Sequence, residues 1–186
     1  MKRIFAVCMV LFLFVGCKNQ DSMVEQVVDL RNKILRCQEC KFNAFVTADY
    51  GDSTCSFTMQ CTKDSEGNMN MVVLEPETIS GITANIKAGR GQLTFEDKAL
   101  AFELVADGQI TPISAPWLFV DALSSGYINI CGKDEEKIRA QIDDTFSGVQ
   151  FSMDIWLKED LIPIRAEVIW QGRRIMSIDI DDFTIV

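Results

Sequence analysis

FNAFVTADYGDSTCSFTMQCT, residues 42–62, is the stretch that decides the fold. Phe42, Ala44, Val46, Ala48 and Tyr50 alternate with Asn43, Phe45, Thr47 and Asp49. Gly51-Asp52 follows as a two-residue turn. Cys55, Phe57, Met59 and Cys61 then alternate with Thr54, Ser56, Thr58, Gln60 and Thr62. Side chains of a strand point to opposite faces in turn, so strict period-two patterning reads as a half-buried antiparallel hairpin.

The same period runs outward. Met69, Met71 and Val73 form a third strand after the Glu66-Gly67-Asn68 turn. Ile82, Ala84, Ile86 and Ala88 form a fourth, ended by Gly89-Arg90-Gly91, and Leu93 with Phe95 a fifth. Leu100, Phe102 and Leu104 form a sixth. Further on, Tyr127–Cys131, Phe151–Leu157, Ile162–Trp170 and Met176–Ile180 repeat the pattern, the last two joined by Gln171-Gly172. Two helices interrupt it. Ser22–Arg36 places Met23, Val27, Leu30 and Ile34 on one stripe. Ser114-Ala115-Pro116-Trp117 opens another with Ser as cap and Pro in the first turn, and Gly126 closes it. Asp134-Glu135-Glu136-Lys137 reads as a solvated helix start, with acids at the positive end of its dipole. Roughly nine strands with one greasy face must twist and curl. The expected class is mainly β (α+β): a curved antiparallel sheet, or incomplete barrel, closed on its concave side by helices.

The N-terminus has a different character. Lys2 and Arg3 precede Ile4–Gly16, 13 residues without a charge. That run is too short for a bilayer-spanning helix, which needs roughly 18 or more, and has the build of a secretory signal. Phe14-Val15-Gly16-Cys17 resembles a lipobox, with Phe14 where leucine is usual, and a polar segment from Lys18 to Ser22 follows. The expected organisation is a signal peptide at 1–16, a diacylated Cys17 and short tether at 17–22, and one domain at 23–186. Two acyl chains anchor firmly where one does not. The expected place is the extracytoplasmic face of a cell membrane. The net charge of −9 becomes −11 without Lys2 and Arg3. Such acidity argues against nucleic acid and against adhesion to anionic lipid through a basic patch. The chain has no histidine. This removes the commonest general base and metal ligand, and with them Ser-His and Cys-His couples.

Four segments carry a family resemblance: Glu75–Ile82, Gln92–Leu104, Pro116–Leu123 before Gly126, and Leu161–Glu167 with Asp182-Phe183. Over most of 23–186 the chain resembles the LolA/LolB-like lipoprotein carriers, and more closely their lipidated Gram-positive members, which include the germination lipoprotein. The resemblance implies an unclosed half-barrel under a helical lid, no enzymatic activity and no cofactor. It implies a bound lipid or lipoprotein acyl chain. Alternatively, the domain docks or activates a cell-envelope, peptidoglycan-processing enzyme, as the germination relative does. No arginine in the sequence stands out as a match for the carriers' lid-locking one.

Under the first reading the inward residues of the curved sheet face the ligand: Val46, Phe57, Met59, Met71, Ile86, Phe95 and Phe102, with Met153 and Ile155 from the second half. Trp117, Phe119 and Val120 belong to the lid. The bland alternative is a plain core, in which methionine is a gap-filler. Cys37-Gln38-Glu39-Cys40 has the spacing of half a zinc site, but no second half exists, so no metal is expected. An exported protein favours disulfides. If Phe42 faces Cys61 across the hairpin, Cys40 lies diagonal to Cys61 on the inner face. This is a candidate bridge, with Cys37 as competitor. Asp179, Asp181 and Asp182 are three close carboxylates, but Asp179 and Asp181 share the outer strand face with Arg165 and Glu167, so the group reads as a solvated charged face rather than a calcium site.

Overall fold

A computed structural model of the chain describes residues 18–95, 98–106 and 109–186. The expected signal segment and Cys17 lie outside them. Helix α1 (Lys18–Arg36) leads into a run of six antiparallel strands, β1 (Glu39–Asp49), β2 (Thr54–Asp64), β3 (Met69–Glu75), β4 (Thr83–Lys87), β5 (Arg90–Phe95) and β6 (Lys98–Phe102). A small ladder, β7 (Val105–Ala106) with β8 (Gln109–Ile110), precedes helix α2 (Ala115–Ser125). Five more strands follow: β9 (Tyr127–Asp134), β10 (Lys137–Phe146), β11 (Val149–Leu157), β12 (Pro163–Trp170) and β13 (Arg173–Ile185).

All but the small ladder join one 11-stranded sheet, ordered β6-β5-β4-β3-β2-β1-β13-β12-β11-β10-β9. The last strand therefore returns to lie beside the first, with Ala44 opposite Ile180 and Val46 opposite Ile178. The sheet does not close: β6 and β9 are its free edges. The β1–β2 hairpin has the register read from sequence, Phe42 opposite Cys61 and Ala48 opposite Cys55. Register shifts interrupt the ladders, for example between Lys41 and Asn43, Thr58 and Met59, and Gln141 and Ile142. Such bulges bend a strand and sharpen its twist, which curves the sheet into an unclosed half-barrel.

Three local readings are corrected. Asp134–Lys137 is not a helix start: it is a hairpin turn, with Asp134 paired to Lys137 and Glu135 at φ 56°. Behind it stands β10, a strand absent from the sequence reading, with Ile138, Ala140 and Ile142 buried. Ile138 and Ile142 are four apart, a spacing that suits helix and strand alike, and the acidic run imitated a first helical turn. Ser114 sits at the N-cap position of α2 but makes no capping bond there. Its hydroxyl donates backward, to Thr111 O at 2.6 Å or Leu104 O at 3.3 Å. The Asp179 face is as expected: Arg165 binds Asp179 at 2.7 Å and Glu167 at 2.8 Å on the outer side of the sheet.

Candidate functional site

The inward faces of the strands converge on α2. From Ala115 to Leu123 every residue of this helix is buried except Asp121. A helix that is apolar around nearly its whole circumference belongs inside a core rather than upon it. Phe119 meets Phe42 of β1 edge to face, with centroids 5.6 Å apart, and Phe42 meets Phe183 at 5.9 Å. At the other end of α2, Gly126 lies so close to the sheet that a Cβ there would fall 2.5 Å from Ile142. Helix α2 thus fills the hollow of the half-barrel.

One side chain ties the two helices together. Arg31 of α1 donates from Nε to Leu123 O at 2.6 Å and from Nη2 to Gly126 O at 2.7 Å. The last carbonyls of a helix have no partners within it and carry the negative end of its dipole, so a guanidinium is a fitting cap. Burial lowers the pKa of Arg31, an effect that nearby Asp144 opposes. The approach to α2 is also held. Tyr50 donates its hydroxyl to Ile110 O, and Thr111 bonds Leu104 backbone to backbone at 2.9 Å. Burial pushes the Tyr50 phenol up to about 12.

Trp117, in the first turn of α2, stands at the mouth. Its ring meets Phe146 edge to face at 5.1 Å, and Phe146 reaches within 3.2 Å of where a Cβ on Gly89 would be. The β10–β11 turn and the β4–β5 turn come from opposite halves of the sheet, so Trp117 and Phe146 span the opening between them. Beside them lies an open cleft of about 690 Å³, bordered by Gly91, Phe102, Leu104, Phe146 and Val149. The Phe102 ring lies over Gly91, where a Cβ would be 2.3 Å from it. Beyond this point α2 gives no cover. Leu93 is opposite Leu100, and Phe95 opposite Lys98. Leu93 is partly buried, but Phe95 is 46% and Leu100 68% exposed. The apolar inner face continues past α2 onto the β5–β6 hairpin.

This architecture has solved counterparts. A putative outer membrane lipoprotein-sorting protein domain from Vibrio parahaemolyticus matches 86% of this chain and 91% of its own, at TM-score 0.50 and 10% identity. A LolA superfamily protein from Nitrosomonas europaea matches 87% and 93%, at TM-score 0.47 and 11% identity. The fold is LolA-like. The GerS lipoprotein of Clostridioides difficile, solved in complex with the CwlD amidase, also aligns, over 86% of this chain and 94% of that one, at TM-score 0.45 and 13% identity. No protein-family model matches the sequence, and no curated protein sequence does.

The sequence-expected ligand residues fall into two groups in this LolA-like frame. Val46, Phe57, Met59, Met71, Ile86, Phe119, Met153 and Ile155 are buried in the core around α2, none more than 9% exposed. Phe95, Phe102 and Trp117 lie at the mouth or on the uncovered hairpin. The sequence reading missed Arg31. Its signal was a charged residue four positions after Val27 on the apolar stripe of α1, where only a partner on another element explains it. Cys37, Cys40, Cys61 and Cys131 are buried free thiols and Cys55 an exposed one. Burial, with Cys37 adding and Lys63 opposing, pushes the Cys40 thiol up to about 12. Among the described residues no cluster of His, Cys, Asp or Glu is arranged to hold a metal ion, and no helix is long and apolar enough to cross a membrane.

Proposed function

We propose that the protein is a non-enzymatic lipoprotein, anchored through Cys17 on the extracytoplasmic side of a cell membrane. It holds a hydrophobic ligand, a lipid or a lipoprotein acyl chain, against the concave face beside and beneath α2. One observation carries this reading. The apolar inner face runs out from under its helix at Phe95 and Leu100 and meets the cleft of about 690 Å³ at Phe102 and Phe146. Ligand pockets of this class measure roughly 300–1,000 Å³, and contiguous exposed apolar surface marks a place of binding. The ligand enters at the mouth. Displacement of α2, which is held there by apolar packing and the Arg31 bonds, opens the deeper residues Phe119, Met59 and Met153. The absence of histidine from the sequence supports a binding role over catalysis.

The test is lipid extraction and mass spectrometry of the full-length chain carrying Cys17→Ser. Lipid present in stoichiometric amount supports the reading, and a lipid-free protein that also fails to take up added lipid overturns it. Entry of labelled palmitate into the parent but not into Cys17→Ser tests the anchor separately.

A second reading has its own observation. The free edge strand β9 exposes Tyr127 at 72% and Ile130 at 53%. An edge strand that exposes apolar side chains can accept an added strand from a partner. Under this reading the protein docks a cell-envelope enzyme. Tyr127→Lys would then abolish partner capture and leave lipid binding intact.

A further inference from the structure

The greasy inner face contains a lysine. Phe57, Met59, Cys61 and Lys63 share the inward side of β2, and Lys63 is only 6% exposed. Its Nζ donates to Ile34 O, 3.2 Å away at the end of α1. An ammonium carries three donors, so two remain. Among the described residues no carboxylate is within ion-pair distance of it. Helix α2 has the complementary oddity. Asp121 is its single charge, half-buried in an otherwise apolar helix, and among the described residues its carboxylate has no ion-pair partner.

These two charges line the same small pocket of about 190 Å³, together with Met69, Trp117, Ser124 and Glu66. Removing a charge from water without a partner is costly. The two do not relieve one another, since they stand further apart than an ion pair allows. A single ligand bearing both an anion and an ammonium would satisfy both. Ser124 and Glu66 add a hydroxyl and a second acceptor for the ammonium. Trp117 belongs to this pocket and also to the mouth, through its contact with Phe146. A head group held here leaves its tail at the entrance to the apolar face.

We propose that the pocket is a head-group site for an amine-bearing phosphate of the phosphoethanolamine class, with phosphate on Lys63 and ammonium on Asp121. This rests on the lipid-binding reading above and names the ligand's polar end. Burial and the neighbouring Asp144 hold the Asp121 carboxyl up at about 6. It is therefore ionised at neutral pH and stands to gain from a cation.

The experiment follows tryptophan fluorescence of the full-length Cys17→Ser chain during titration with three probes. These are dihexanoyl phosphatidylethanolamine, dihexanoyl phosphatidylglycerol and free phosphoethanolamine. The ethanolamine lipid should bind about tenfold more tightly than the glycerol lipid, the worth of one charge-assisted bond. Asp121→Asn should erase that preference without weakening the glycerol lipid. Lys63→Met should weaken both about tenfold. Lys63 also caps α1, so Asp121→Asn, which removes no contact, is the decisive variant. Equal affinity for the two lipids, or a preference that survives Asp121→Asn, overturns the head-group site and leaves the lipid reading standing. Failure of both lipids to bind overturns the lipid reading itself. Free phosphoethanolamine binding as tightly as its lipid would identify a soluble ligand and overturn the lipid as its source.

Discussion

Replacing Arg31 with methionine tests whether α2 is a lid or merely core. The substitution keeps an unbranched stem of similar width and removes the guanidinium. Two short bonds are lost, to Leu123 O and Gly126 O, at 2.6 and 2.7 Å. A net hydrogen bond from a charged donor contributes about 1.5–3 kcal/mol, and a cation at a helix C-terminus up to about 2 kcal/mol. These overlap, because the same carbonyls make the dipole's end. Arg31 is half-exposed, so water replaces part of what is lost. The expected destabilisation is therefore about 2 kcal/mol, or roughly 4–8 °C in Tm for a domain of this size. Urea unfolding of the Cys17→Ser chain measures the global loss. Amide exchange by mass spectrometry measures where it falls. If Arg31 latches a movable helix, peptides covering 115–125 should exchange much faster while those of β1 and β13 keep their protection. Arg31→Lys keeps a charge but cannot span both carbonyls, and should fall about midway. A change below about 0.5 kcal/mol, the range of ordinary surface substitutions, would refute the latch. So would uniform loss of protection across the sheet.

Other outcomes follow from single features. Phe119→Ala deletes a fully buried ring packed on Phe42 and should cost about 3–5 kcal/mol in urea unfolding. The Asp121 carboxyl is raised to about 6 by burial and Asp144, so its neutral form favours the fold. That stability is fully present below the unfolded pKa of about 4 and is lost as pH rises through about 6. Asp121→Asn should therefore flatten the stability profile between those values and gain about 1 kcal/mol at pH 7, after allowance for solvent screening. With reductant present, iodoacetamide at pH 8 should label Cys55 rapidly and the four buried thiols only after unfolding, read by peptide mass mapping. The same mapping without reductant on exported protein tests the proposed Cys40–Cys61 bridge. Leu100→Glu, on the uncovered hairpin, should leave the unfolding free energy within about 0.5 kcal/mol of the parent and reduce lipid uptake.

Much of the fold was legible because alternation is a local property of the chain. Phe42–Cys61 gave strands, face and register, since a two-residue turn leaves one way for the sides to meet. The strand β10 escaped because Ile138 and Ile142, four apart, suit either period and the acidic run before them imitated a helix start. Phe95 has the right parity for the inner face, yet sits at the tip of a hairpin that no helix reaches. Parity states the side a residue points to, not whether anything lies there.

The sequence by itself determined the period-two strands, the two helices, the acidic surface and the absence of histidine chemistry. Each is written in spacings of a few residues or in composition. Only the tertiary structure decided that β13 closes beside β1, that α2 plugs the hollow and is held by Arg31, and that Lys63 and Asp121 share one pocket. Those facts join residues many tens of positions apart. Their pairing is fixed by which apolar surfaces can be buried together, and no local pattern records that competition.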